Sequence, residues 1–341
     1  MKNMFNLQNR RYIGNKYKLL DWIFDNVEKN CEGDSVLDIF AGTGVVAERF
    51  LKSHKKVVLN DFLYSNEVIF NAFFNSNGAD YEHLRSVAEK LSELSKQNKR
   101  QNYFDKHFGG KFFSKNDARE IGFIRERLEA LLESKKLEKK EYYILLASLV
   151  YSIDHISNTV GHYDAYFKNK EIKDRFEYKL IQNLDTTSND IEILREDANI
   201  VAETTTADIV FIDPPYNSRQ YSRFYHILEN LVEWKKPKLH GVALKPEAEN
   251  MSDYSRSNAK VVFSDLIEKL DCKYLVVTYN NTFNSKSSSS QNKITLEEIT
   301  DILKRKATTK VLSKSYRFFN SGKTEFKDHK EYLFITEVRH D

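Results

Sequence analysis

Apolar positions along this 341-residue chain fall into two periods, and their alternation predicts the architecture. Short runs of large and β-branched apolar residues, at 36–40, 56–60, 207–212 and 273–280, have the length and the lack of polar alternation of strands covered on both faces. Apolar positions of helical spacing follow the first run after Gly44, and follow the second over 64–74. Strand-then-helix order of this kind predicts parallel βαβ units. From residue 77 to 188 the strands give way to charged segments of helical period at 81–97, 118–136 and 141–155. The last holds the apolar run from Tyr142 to Tyr151, far short of the roughly 20 residues that span a bilayer, and so predicts a buried helix. A short extended stretch begins at Ile191 and has Asp197 near its end. Two late extended runs, 310–319 and 331–338, flank Asn320-Ser321-Gly322-Lys323 and predict an antiparallel hairpin, while the serine-rich stretch 285–290 reads as a flexible loop. The expected organisation is a sheet domain in two parts, 1–76 and 189–341, interrupted by a mainly helical domain over 77–188.

The run at 207–212 leads directly into Asp213-Pro214-Pro215-Tyr216. The chain has 4 prolines, and two of them stand side by side here. A proline pair continues neither a ladder nor a helix, so the strand must end at Asp213 in a rigid corner. The Asp213 carboxylate and the Pro214 carbonyl then offer two acceptors for the N–H donors of an exocyclic amine, and the Tyr216 ring offers a stacking face for a base. The N6 lone pair of adenine is delocalised into its ring. Two acceptors pulling on the amino hydrogens favour a pyramidal nitrogen with a localised lone pair, a geometry belonging more to the transition state than to the ground state.

The run at 36–40 enters Ala41-Gly42-Thr43-Gly44, where Gly42 and Gly44 let the backbone approach a ligand at the carboxyl end of a strand. Gly42 to Ala47 also satisfies a dinucleotide pattern, which leaves an NAD-dependent oxidoreductase open at this point, although the Asp-Pro-Pro-Tyr corner argues against it. The second strand is followed by Asp61 and Phe62. An acid at a strand tip accepts from ribose hydroxyls, or it caps the helix that follows; Phe62 lies against a base or belongs to the core.

These motifs resemble the S-adenosylmethionine-dependent amino-methyltransferases, and the Asp-Pro-Pro-Tyr form with its N-terminal partner resembles the D12 class (alpha group) of adenine-N6 DNA methyltransferases, such as those of type II and type IIS restriction-modification systems. The resemblance implies a Rossmann-like α/β sheet with a C-terminal antiparallel hairpin and an inserted, mainly helical DNA-recognition domain. It implies that Asp38 and Phe40 line the methionine end of the cofactor, and that Asp197 accepts from the cofactor adenine. It also gives a role to the basic loop Arg10 to Leu20, otherwise a solvated positive face: Tyr12 stands where the family has an aromatic residue, usually Trp, and Lys16 where it has a cofactor-contacting lysine. Asp213, Pro214, Pro215 and Tyr216 are the implied catalytic residues. The implied reaction is methyl transfer to adenine N6 in double-stranded DNA, with a cognate restriction endonuclease as a possible partner. Methylation of RNA adenine, or a non-catalytic DNA-binding protein on a methyltransferase fold, are the alternatives.

For DNA contact the sequence offers Asn217, Arg219 and Tyr221 directly after the corner, and as a group the polar-aromatic stretches 109–116 and 157–168. The formal net charge of +3 is too small to argue nucleic-acid binding, so a basic cleft must come from arrangement. Cys31 and Cys272 lack metal or redox spacing, and no metal site is expected. No secretory apolar segment opens the sequence, which predicts a cytoplasmic protein, a monomer or weak dimer, without membrane partners.

Overall fold

The computed structural model of the chain describes residues 4–282, 291–315 and 329–338; the serine-rich stretch 285–290, the end of the run at 310–319 and the turn at 320–323 lie outside the described residues. Seven strands form one sheet: β1 (Ser35–Asp38), β2 (Lys56–Asn60), β3 (Asp190–Leu194), β4 (Ala207–Ile212), β5 (Cys272–Asn280), β6 (Thr309–Ser315) and β7 (Lys330–Glu337). Their order is β3-β2-β1-β4-β5-β7-β6. β1 to β5 pair in parallel, and β7 runs antiparallel to both β5 and β6. The mixed sheet with its antiparallel hairpin is the architecture expected from the sequence.

The helices in chain order are α1 (Leu20–Asn30), α2 (Val45–Phe50), α3 (Tyr64–Phe74), α4 (Tyr81–Gln97), α5 (Tyr103–Phe108), α6 (Lys115–Glu133), α7 (Lys139–Ile156), α8 (Ala198–Thr204), the single turn α9 (Tyr221–Phe224), α10 (His226–Glu233), α11 (Ala259–Lys269) and α12 (Leu296–Lys306). Contacts divide the chain into two compact units. A sheet unit comprises 15–62, 188–221 and 250–341; a helical unit comprises 1–14, 63–187 and 222–249. The helical segments read at 77–188 thus share their unit with residues 1–14 and 222–249.

In the sheet unit β1, β2, β4 and most of β5 are buried on both faces, as their apolar runs require, while the edge strand β3 is partly exposed. On one face Leu37, Val58, Val210, Ile212, Leu275 and Val277 pack against Phe263, Leu266 and Ile299 of α11 and α12.

In the helical unit α7 is buried along most of its length, and its serines serve the backbone of a neighbouring segment. Ser148 Oγ accepts from Ile181 N–H at 3.0 Å, and Ser152 Oγ accepts from Lys179 N–H at 3.0 Å. No helix among the described residues is long and apolar enough to cross a membrane. α6 begins at Lys115 rather than at 118, because Ser114 caps it by accepting from Asp117 N–H at 3.0 Å. Gly122 in α6 faces the cap of α5: an added Cβ there would lie 2.1 Å from Asn102 Oδ1. Asn102 has no room to yield, since it accepts from Phe104 and Asp105 N–H and donates to the Arg119 carbonyl at 2.8 Å. Gly122→Ala gains about 1 kcal/mol of helix propensity. The overpacking and lost cap outweigh that gain, at roughly 1–3 kcal/mol and about 1 kcal/mol. A net fall in thermal unfolding temperature of several degrees is expected, and an unchanged or higher midpoint would contradict this packing.

Candidate active site

Parallel register sets the carboxyl ends of β1, β2 and β4 at one edge of the sheet, with Asp38 ending β1, Asp61 following β2 and Asp213 following β4. β1 lies between β2 and β4, so the strand order changes direction there, the position at which open α/β sheets bind ligands. Because β7 is antiparallel, its first residues arrive at the same edge, with Glu331 directly across from Asn280 near the end of β5.

Asp213 leaves β4 into the proline corner and is held by donors. Thr278 of β5 donates its hydroxyl to Asp213 Oδ1 at 2.8 Å, and the Tyr216 hydroxyl donates to the same oxygen. Lys16 Nζ lies 2.8 Å from Asp213 Oδ2 and donates to the Tyr216 hydroxyl oxygen at 2.8 Å. The sequence points Lys16 toward a cofactor carboxylate; here it closes on Asp213, as an ammonium only 4% exposed must find a counter-charge. The Tyr216 ring packs on Tyr279 with centroids 4.5 Å apart and lies under Lys16. Burial, first, and the Asp213 charge, second, push the Tyr216 phenol well above its ordinary range, so it acts as a donor.

Asp38 differs. It is buried, and neither carboxylate oxygen is reached by a donor at full hydrogen-bond geometry, the Ala47 N–H acting on it only electrostatically. Burial raises its pKa well above the usual carboxylate range, the nearby Asp213 and Asp61 raise it further, and the Ala47 N–H pulls weakly the other way. An orphaned buried acid costs free energy unless something donates to it. Beside it, Gly42 and Gly44 take left-handed backbone at φ 55° and 80°, and Gly42 N–H donates to Asp61 Oδ2 at 2.9 Å. Asp61 thus shapes the glycine turn, while the N-cap position of α3 is Leu63, which makes no side-chain cap hydrogen bond. An acid with two open acceptors beside a glycine cradle fits the ammonium of an amino-acid group, so the residues present fit the methionine end of S-adenosylmethionine. Asp38→Asn is therefore expected to leave stability at neutral pH unchanged or higher. The same variant is expected to weaken S-adenosylmethionine binding by roughly 10- to 100-fold in calorimetry, the value of about 1.5–3 kcal/mol for hydrogen bonds to a charged group. Unchanged affinity would remove Asp38 from the binding site.

The remaining residues singled out in the sequence are distributed as follows. Phe40 meets Tyr254 edge-on at 5.0 Å, and Phe62 is half-buried. Asp197 caps α8 by accepting from Asn199 N–H at 2.9 Å. Asn217 accepts from Arg219 N–H at 3.1 Å, and the Arg219 carbonyl accepts from Ser255 at 3.2 Å, so the turn after the corner is tied down; Tyr221 follows it, half-buried. Tyr12 belongs to the helical unit, stacked on Tyr225 at 4.9 Å with Arg10 over its ring. In the stretches 109–116 and 157–168, Phe112, Phe113 and Tyr163 are core, and Asn158 ties the loops by donating to the Lys111 and Phe167 carbonyls. Those side chains are spent on packing.

Residues not singled out in the sequence complete the edge. Asn60 bridges Ile39 and Glu196 through its amide, and Thr278 and Glu331 join Asp213. In the helical unit Glu229 caps α3 from outside, accepting from Tyr64 and Ser65 N–H at 2.9 Å.

This arrangement of a glycine turn, strand-tip acids and the Asp-Pro-Pro-Tyr corner coincides with a family-level match. The model of the D12 class N6 adenine-specific DNA methyltransferases matches residues 12–302. The chain belongs to that family. Among curated relatives of this D12 protein are the type II methyltransferase M.FokI of Planomicrobium okeanokoites, 31% identical over 96% of this chain and 52% of that protein, and the modification methylase StsI of Streptococcus sanguinis, 32% identical over 86% and 46%. The type II methyltransferase M.NlaIII of Neisseria lactamica is 28% identical over 96% of this chain and 98% of its own length. The D12 chain spans about half the length of the FokI and StsI relatives and nearly all of the NlaIII relative.

Proposed function

We propose that this D12-class chain transfers a methyl group to adenine N6 at a specific sequence in double-stranded DNA, as the modification enzyme of a restriction-modification system. The observation that carries the reading is Asp213, fixed by the proline corner and held by Thr278, Tyr216 and Lys16 at the sheet edge where Asp38 presents two open acceptors.

Bound S-adenosylmethionine supplies an electrophilic methyl group on a sulfonium. Asp38 receives the cofactor ammonium, and Asp61 keeps the glycine turn in place and accepts from the ribose. Asp213 and the Pro214 carbonyl receive the two N6 hydrogens of an adenine swung out of the duplex, which sharpens the nitrogen lone pair toward the methyl group. Tyr216 must release Asp213 for its ring to stack on the base; its hydroxyl occupies an acceptor position in the resting site. The helical unit is assigned the reading of the target sequence, and Arg219 the phosphates near the flipped base. An Arg219→Glu variant with unchanged DNA affinity would remove that assignment.

Incubating the protein with labelled S-adenosylmethionine and unmethylated plasmid DNA, then digesting to nucleosides, tests the reaction. Label in N6-methyladenine supports it; label only in RNA offered in parallel moves the substrate to RNA; label in neither overturns the enzymatic reading.

A further inference from the structure

Glu331 stands inside the catalytic edge without a task in the mechanism above. It is 6% exposed, and its Oε2 is buried with no hydrogen-bond partner. Across the β5–β7 ladder Glu331 faces Asn280, and Leu333 faces Thr278. Directly opposed residues share a sheet face, so Glu331 projects on the same side as Thr278, whose hydroxyl holds Asp213. The diagonal from Thr278 to Glu331 is about 7–8 Å between backbones, within reach of a long side chain. Lys16 and Asp213 are the two charges that act on it, Lys16 favouring its ionised form and Asp213 opposing it. On its other flank the cross-strand neighbour is Lys314, whose ammonium sits over the Trp22 ring. Tyr216 lies beyond Asp213 and also feels the Glu331 charge.

Methyl transfer to an amino group leaves a proton to place. The N6–carbon bond forms as the carbon–sulfur bond breaks, sulfur keeps the electron pair, and N6 is left with one hydrogen too many. Asp213 touches that hydrogen, but its two oxygens already accept from the Thr278 hydroxyl and the Lys16 ammonium, so the proton needs a further place to rest. We infer that Glu331 is a positioning residue for this step, the buried carboxylate on which the proton released from N6 comes to rest after passing through Asp213. Its surroundings suit the role. Burial, the largest cause, and the Asp213 charge push the carboxyl up to about 7, against the partial relief given by Lys16, which places it near the working pH of a proton acceptor.

The inference rests on the adenine-methyltransferase reading, and the two fail differently. Single-turnover methylation of plasmid DNA would be followed from pH 5.5 to 9 for the wild-type chain, Glu331→Gln and Glu331→Asp, with calorimetric S-adenosylmethionine binding and thermal unfolding over the same range. The wild-type rate is expected to fall on the acid side of neutrality, as Glu331 becomes protonated. Glu331→Gln should be about 10²-fold slower at pH 8, the usual contribution of a proton-transfer group, and should lose that acid limb. Glu331→Asp should keep a limb at reduced rate, which covers the case of a poorly folding glutamine variant. Unfolding gives a readout apart from turnover. A raised folded pKa means stability that is full below about pH 4.5 and lost as pH rises toward 7, so Glu331→Gln should flatten that loss relative to wild type. A glutamine variant with the wild-type rate and pH profile overturns the inference, as does an aspartate variant without a limb. So does a defect confined to S-adenosylmethionine affinity, which would make Glu331 a counter-charge for the cofactor, or an unchanged stability profile. A wild-type chain inert at every pH instead removes the underlying reading, and this inference with it.

Discussion

Replacing Asp213 with alanine is expected to reduce single-turnover adenine methylation by at least about 10³-fold while S-adenosylmethionine still binds, the upper end of what one preorganised electrostatic group supplies. The carboxylate does its work only when N6 becomes pyramidal, so its loss falls on the chemical step rather than on ground-state binding. The fold should tolerate the change. Lys16 loses its 2.8 Å partner, but the Glu331 carboxyl also feels Lys16, and without the Asp213 charge it ionises more readily and supplies a counter-charge. Asp38 likewise loses one of the two acids that oppose its ionisation. Asp213→Asn separates shape from charge: it keeps a partner for Thr278 but directs an amide N–H at the incoming amine, and it should be as inactive. Methylation within tenfold of wild type by either variant would contradict the role given to the corner.

The second large effect is expected at Lys16. Lys16→Met keeps the bulk of the side chain and removes the ammonium that pairs Asp213 and acts on Glu331. Breaking a buried pair by deleting one partner costs roughly 3–5 kcal/mol, and the lower end applies here because Asp213 is 17% exposed. The loss should depend on pH. Without the cation the Glu331 carboxyl shifts further upward, so its raised pKa contributes most in acid, and the destabilisation grows from about pH 5 to 8 as that acid is forced to ionise. Urea unfolding at those two pH values measures it. An equal loss at both would mean that Lys16 acts through packing alone. Any activity that remains should have its acid limb displaced to higher pH.

Much of this was legible in the sequence, for physical reasons that also explain what was not. Parallel strands covered on both faces have no solvent side, so the runs at 56–60 and 207–212 are apolar throughout and their ends stand out; β2 and β4 occupy the expected residues. Each strand tip with an acid, at Asp38, Asp61 and Asp213, falls on the same edge because parallel pairing sends every carboxyl end the same way. Thr278 was hidden because its place beside Asp213 depends on register between β4 and β5, and Glu331 because its place depends on register between β5 and β7, neither of which local sequence encodes. A signal did exist. Glu331 is in phase with Leu333 and Ile335 on a buried face, and an acid on such a face needs a reason. Glu229 was hidden for a similar cause, since a cap supplied from a distant helix leaves no mark next to the helix it caps. In the stretches 109–116 and 157–168, the burial of Phe112, Phe113 and Tyr163 was not legible because Tyr163 lies far along the chain from the phenylalanines it packs with.

The reversal of β7 also sets a timetable for synthesis. Lys16 leaves the ribosome about three hundred residues before Glu331, an interval of roughly 15–60 s at bacterial translation rates. Until β7 has been made, β5 is an edge strand and Lys16 meets Asp213 without the third charged group that acts on both. A nascent chain therefore has the glycine turn, the proline corner and the β4–β5 ladder that sets Thr278 early, yet it lacks the acid opposite Asn280. That acid joins the edge last, when β7 docks.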